Sequence, residues 1–181
     1  SKNYPHTPGI DAVGIIEKAS VSQFDIGDRV IVSGYDLGMN TSGGFGEYIR
    51  VPKEWVCHLP KGLQSLESMI IGTAGLTAGL CVDLFIKNNS IEGKKAIVSG
   101  STGGVGTIAI KLLTKMGVDV TAITSNLDSK EYLMMIGASE VISVSEFLDS
   151  IKKPLNKSTW DFAIDVVGGP ILSALIISMK Y

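Results

Sequence analysis

The sequence predicts an α/β chain, a doubly wound parallel sheet preceded by an irregular β-barrel module. Three observations carry this. A short apolar run, Ala96-Ile97-Val98, leads straight into Gly100, Gly103, Gly104 and Gly106. Behind the glycines, Val105, Ile108, Ala109, Leu112, Leu113 and Met116 recur at helical spacing. From residue 118 onward, strand-like runs alternate with helical stretches, the pattern of a parallel sheet with right-handed crossovers.

The glycine segment reads as strand, turn, helix. A helix N-terminus offers free backbone N–H groups and a partial positive charge, which suit a phosphate. Glycine permits the tight turn and lets a pyrophosphate approach without a Cβ in the way. The order Gly100-x-x-Gly103-x-x-Gly106 is a variant of G-x-G-x-x-G. It is not a Walker loop, because Val105 and Gly106 stand where that motif has glycine and lysine. The segment proposes a dinucleotide; the plainer alternative is a glycine-rich turn with no ligand.

The remaining elements follow in order. Residues 118–124 (VDVTAIT) read as a second strand after a helix stop at Gly117. Residues 128–136 read as a helix capped by Gly137, and 140–144 (EVISV) as a third strand. Residues 161–167 (DFAIDVV) form a fourth strand, ended by Gly168-Gly169-Pro170, and 171–179 a helix. A cofactor would lie across the carboxyl ends of these strands.

Residues 9–60 are built differently. Strand-like runs at 12–17, 29–32, 47–51 and 56–59 are separated by Gly27-Asp28, Gly34, Gly38 and Gly43-Gly44. A long helix rich in small residues follows over 66–85, with Ser65 as its N-cap. Its GTAGLTAGL core lets a backbone pack close to a sheet or a cofactor. The expected division is a β module over 1–62 and a nucleotide-type α/β domain over 63–181.

Composition bounds the function. With 45% hydrophobic and 19% charged residues, 181 residues suffice for a substantial core. A net charge of −2 provides no electrostatic case for nucleic acid or an anionic membrane. The apolar stretches are interrupted by Gly, Thr, Asp or Lys, so no membrane span of about 20 residues is expected. The opening, SKNYPH, does not read as a signal peptide. Two cysteines do not make a disulfide framework, and a cytoplasmic location is the expectation.

Eight segments, in order, now carry a resemblance: PGIDAVG (8–14), GDRVIV (27–32), GYDLG (34–38), GGFGEY (43–48), GTAGLTA (72–78), SGSTGGVG (99–106), IGASEVI (136–142) and DFAIDVVGG (161–169). The chain resembles the zinc-free, quinone-oxidoreductase-like branch of the medium-chain dehydrogenase/reductase superfamily, nearest the acryloyl-CoA reductase group. The resemblance implies part of a GroES-like catalytic domain joined to part of a Rossmann NAD(P)-binding domain. It also implies NADPH-linked reduction of an activated carbon–carbon double bond in a small-molecule substrate, and a homo-oligomer when full length.

A catalytic zinc needs three protein ligands and a structural zinc usually four. The chain has two cysteines, Cys57 and Cys81, and two histidines, His6 and His58. Where zinc-dependent relatives carry G-H-E, this chain has Gly9-Ile10-Asp11, and their four-cysteine lobe is missing. No metal is expected.

Without zinc, the mechanism implied by the family is hydride delivery to the β-carbon of an unsaturated thioester, enone or quinone. Charge developing on the carbonyl oxygen must be stabilised and the α-carbon protonated. Tyr35, in a glycine-flanked loop, is the candidate proton donor; an ordinary loop aromatic is the alternative. Tyr48 reads as a core residue in a strand, and Asp36 as an Asx turn.

Cofactor roles carry over from the family. Thr102, Gly103, Gly104 and Val105 match its pyrophosphate turn, and Thr77 a threonine beside the cofactor. Thr124, Ser125 and Asn126 end the second strand, where the adenosine ribose binds. An NAD enzyme typically has an acid there for the 2′-hydroxyl. This strand ends without one, which favours NADPH, with NADH possible; Asp128 reads instead as a helix N-cap. The acryloyl-CoA reductase group often has basic residues near Asn126 and at the position of Val144, and this chain has neither. Lys130 is the nearest cation.

Relatives continue beyond both ends of the chain, so a piece of a longer protein, poorly active alone, is the expectation. Two further readings stand beside the main one. A short-chain dehydrogenase fits Ser99-Gly100-x-x-x-Gly104-x-Gly106, but nearly 100 residues precede the motif and no Tyr-x-x-x-Lys follows. A non-catalytic NADPH-binding sensor would keep the fold without the chemistry.

Overall fold

The structure is a computed structural model that describes residues 4–20, 22–88, 90–152 and 158–180. The chain divides into two compact units, Ser1–Thr73 and Ala74–Tyr181.

The first unit contains a three-stranded antiparallel sheet, β1 (Asp11–Ile15), β2 (Arg29–Ser33) and β3 (Cys57–His58), in the order β1-β2-β3. Alternation in β2 buries Val30 and Val32, which join Phe24 and Leu37 in the core of this unit. The Phe24 ring lies 4.9 Å from that of His58.

Two expectations are corrected here. Residues 47–51 form no strand, and Tyr48 is 77% exposed rather than core. The preceding glycines take the pairing instead. Gly43 N–H donates to Thr7 O (2.7 Å), Gly44 N–H to Gly9 O (2.9 Å) and Phe45 N–H to Pro8 O (3.0 Å). This contact is too close for side chains. A Cβ on Gly43 would lie 2.4 Å from Pro8 carbonyl atoms, and one on Gly44 2.4 Å from Asp11 O.

The long helix α1 (Ser65–Asn88) is broken at Gly72, where φ is 48° and ψ −158°. Ser65 lies inside the helix rather than capping it. The first turn is tied by Gln64 N–H donating to Glu67 Oε2 over 2.8 Å. The stretch Ser65–Lys87 has a mean hydropathy of 1.9 and is long and apolar enough, by composition, to cross a membrane, correcting the expectation of no such span. Gly72 breaks this stretch, and Ala78 and Val82 are buried in the second unit's core, while Leu66, Ile70, Leu80 and Leu84 are exposed.

The second unit is a four-stranded parallel sheet of order β6-β5-β4-β7, formed by β4 (Lys95–Val98), β5 (Asp119–Thr124), β6 (Glu140–Ser143) and β7 (Phe162–Ile164). Both faces are covered. On one, Ala96, Val98, Val120 and Ala122 pack with Ala109, Ile110 and Leu113 of α2 (Gly104–Lys115) and Leu133 of α3 (Lys130–Met135). On the other, Ile97 and Ile123 pack with Phe147 of α4 (Val144–Ile151) and Ile171, Ala174 and Leu175 of α5 (Gly169–Ser178). Each fully buried aliphatic side chain contributes about 1.5–3 kcal/mol. This is the doubly wound arrangement the alternating pattern predicts.

Helix α4 is absent from the sequence reading. Its signal is the capping box: Glu146 N–H donates to Ser143 Oγ (3.1 Å) and Ser143 N–H to Glu146 Oε2 (2.7 Å). The Ser143 backbone bond and then its side chain hold the Glu146 carboxyl below its ordinary value, and Lys130 adds positive charge nearby. Gly137 caps the α3 segment as predicted, at φ 119°. At the opposite, N-terminal edge of the sheet, burial would raise the Asp161 carboxyl. Hydrogen bonds from Lys95 N–H (2.9 Å) and Lys180 Nζ (3.0 Å), with Lys94 Nζ at 3.9 Å, outweigh this and hold it below its usual value.

Candidate functional site

The site in the second unit lies where β4 and β5 end at the carboxyl edge of the sheet. β4 runs into Ser99 and Gly100, whose φ of 57° turns the chain sharply. Ser101 Oγ donates to Val98 O (2.8 Å), and Gly103 N–H donates to Gly100 O (3.0 Å). Gly103 is the N-cap of α2 and provides no side-chain cap, so the first N–H groups of the helix face outward from the turn. Thr107 Oγ1 donates to Gly103 O (2.7 Å) and braces the turn from behind.

Gly104 and Gly106 leave no room for a side chain. A Cβ on Gly106 would lie 2.5 Å from Gly100 O and 2.8 Å from Ser101 Cα. One on Gly104 would lie 2.9 Å from the Ala74 Cβ of α1. Thr102, Gly103 and Gly104 are exposed and Val105 half-buried. A glycine-rich turn leading into a helix N-terminus without a side-chain cap fits a pyrophosphate. Thr77 is exposed and three residues after Ala74, on the same face of α1.

Beside the turn, β5 ends in Thr124, which is buried. Its Oγ1 accepts from Asn126 N–H (3.0 Å) and donates to Asn126 O (3.1 Å). Ser101 N–H donates to Ile123 O (3.4 Å), which joins the glycine turn to β5. Asn126, not Asp128, is the cap: its Oδ1 accepts from Asp128 N–H (3.0 Å), and Asp128 lies within the short 3₁₀ turn Leu127–Ser129. Ser125 and Asn126 are exposed. Thr102 to Val105 and Thr124 to Asn126 therefore share one sheet edge.

The sequence reading passes over one further contact. The buried Ser99 donates through Oγ to Asp165 Oδ1, joining the ends of β4 and β7. The two residues stand 66 apart, and no local sequence signal pairs them.

Tyr35 lies in the first unit. It has φ 54°, left-handed and unusual for an aromatic residue, and its ring stacks on Trp55 with centroids 5.5 Å apart and an interplanar angle of 6°. It is 62% exposed. Asp36 Oδ1 accepts from Asn40 Nδ2 (2.7 Å) and Asn40 N–H (3.4 Å), and Asp36 O from Met39 N–H (3.0 Å). Nearby, His6 Nε2 and Gly38 O are hydrogen-bonded at 2.9 Å. Among the described residues, no group of three His, Cys, Asp or Glu side chains lies close enough to hold a metal ion.

A doubly wound sheet with a glycine turn at its carboxyl edge, preceded by an antiparallel β module, is the fold arrangement of the dehydrogenase class. The comparisons with known proteins agree. Residues 1–61 match the family model of the alcohol dehydrogenase GroES-like domain, and residues 104–181 that of zinc-binding dehydrogenases. The chain belongs to the medium-chain dehydrogenase/reductases, which join these two domains. It is 34% identical to the acrylyl-CoA reductase AcuI of Ruegeria pomeroyi, with 99% of this chain and 55% of that protein aligned. Among solved structures, Bacillus subtilis yhfP with NAD bound superposes with a TM-score of 0.92 at 43% identity. The yhdH oxidoreductase of Salmonella enterica in complex with NADP superposes with 0.91 at 38%. Each superposition covers 99% of this chain and 55% of the other. The chain thus spans about half the length of the relatives it matches.

Proposed function

We propose that the protein containing this chain is an NADPH-dependent, zinc-free reductase of the activated C=C bond of an α,β-unsaturated carbonyl compound, of the acryloyl-CoA, enone or quinone type. One observation carries the reading: four glycines fold β4 into α2 with no room for a side chain at Gly106 and no side-chain cap at the helix start. The AcuI and yhdH similarities support the substrate class and the phosphorylated cofactor; the NAD-bound yhfP supports NADH as a second cofactor.

In this reading Thr102, Gly103, Gly104 and Val105 hold the pyrophosphate through backbone N–H groups, with Thr77 beside them. Thr124, Ser125 and Asn126 receive the adenosine ribose, and the absence of an acid among them spares a 2′-phosphate from repulsion. When bound, the reduced nicotinamide supplies a hydride for the β-carbon. Tyr35 holds the proton destined for the α-carbon, and its hydroxyl is a donor for charge developing on the carbonyl oxygen. Stacking on Trp55 and the left-handed backbone fix its ring.

The test is a nicotinamide-fluorescence titration with NADPH and NADH, followed by cofactor oxidation with an enoyl thioester. Saturable binding that prefers NADPH, with turnover, is expected. Binding of neither cofactor overturns the reading; binding without oxidation of any unsaturated carbonyl substrate reduces it to a cofactor sensor. Tyr35→Phe is expected to lower kcat about 100-fold with little change in cofactor affinity.

A further inference from the structure

We infer that Asp165 is a positioning residue for the nicotinamide half of the cofactor; the inference rests on the dinucleotide reading above. The sheet order β6-β5-β4-β7 puts β5 and β7 on opposite sides of the glycine turn. The ribose that an acidic residue would recognise belongs to the β5 side, so the other half of a dinucleotide extends over the carboxyl end of β7. The chain leaving that strand, residues 165–169, is the surface it meets.

This segment is clamped to the turn. Ser99 N–H donates to Ile164 O (2.9 Å), and Ser99 Oγ accepts from Val166 N–H (3.2 Å) while donating to Asp165 Oδ1. The same carboxylate accepts from Val167 N–H (3.3 Å) and Gly168 N–H (2.9 Å). With a serine hydroxyl and two backbone N–H groups on it, Asp165 acts on the loop rather than on a ligand. What the loop presents is apolar: Val166 and Val167 are 47% and 55% exposed. A Cβ on Gly100 would lie 2.5 Å from Val166 Cγ2, so Val166 is seated against the first glycine of the phosphate turn. Two valines held in water beside that turn form a wall for a flat, weakly polar ring, which gains by covering them.

The experiment compares the whole cofactor with its adenosine half. The wild-type protein, Asp165→Asn and Val166→Ala are titrated with NADPH and with 2′,5′-ADP by calorimetry. The Kd for NADPH is expected to rise about tenfold in both variants, with 2′,5′-ADP changed less than about twofold. An equal loss of both ligands, the mark of a merely structural role, overturns the inference, as does unchanged NADPH binding. Should Asp165→Asn fail to fold, Val166→Ala decides by the same two ligands. Wild-type protein that binds neither ligand overturns the dinucleotide reading and this inference with it; wild-type protein that binds both, with variants that lose both equally or lose neither, overturns only the latter.

Discussion

The hydroxyl of Thr73 donates a hydrogen bond to the carboxylate of Asp11 across 2.8 Å, tying the start of β1 to the helix just past its break at Gly72. A Cβ on Gly72 would lie 2.9 Å from Asp11 Oδ2, and its φ of 48° disfavours any side chain. Carboxylate, hydroxyl and helix break form one local arrangement. Thr73→Val is therefore expected to cost about 1–2 kcal/mol and Gly72→Ala about 2–3 kcal/mol, measured by urea unfolding. Equal stability of wild type and Gly72→Ala would refute it.

The glycine turn makes a graded prediction. Gly106→Ala places its methyl against backbone atoms of Gly100 and Ser101, which cannot yield without opening the turn. Gly103→Ala meets Gly100 O only at 3.3 Å. NADPH affinity should fall more than tenfold for the first and several-fold less for the second.

Cofactor choice should respond at the end of β5. Asn126→Asp keeps an acceptor for Asp128 N–H, so the local turn survives while a negative charge arrives. The ratio of NADPH to NADH affinity is expected to fall at least tenfold, read by parallel fluorescence titrations. An unchanged ratio would remove Asn126 from the ribose site.

Asp161 makes a pH-dependent prediction. Its carboxyl is held below its usual value in the folded chain, against about 3.9 when unfolded. A depressed folded value means that the stabilisation is complete above about pH 4 and is lost as pH falls through the folded value. Asp161→Asn should cost about 1–2 kcal/mol at pH 7. The gap to wild type should close progressively below about pH 4 in unfolding experiments, and a gap constant down to pH 2 would contradict the assignment.

The capping box of α4 should show a smaller effect. Ser143→Ala removes the acceptor for Glu146 N–H and is expected to cost about 1 kcal/mol, visible as a lower Tm.

The sequence by itself determined the features governed by local periodicity. Apolar runs at β4, β5, β6 and β7 and the 3.6-residue spacing of α2 are properties of neighbouring residues, so the parallel sheet and its phosphate-type turn were legible. The cofactor candidates at 102–105 and 124–126 came from the family resemblance; the structure puts them where β4 and β5 end. Features made by residues far apart in the chain were legible only in the tertiary structure. Residues 47–51 look strand-like, yet the backbone pairing is made just before them, by Gly43, Gly44 and Phe45 with Thr7, Gly9 and Pro8. Ser99 and Asp165 stand 66 residues apart, and no local pattern pairs them. The sheet order does, by laying β7 against β4. Local sequence sets which backbone conformations are cheap; only the packed fold sets which side chains meet.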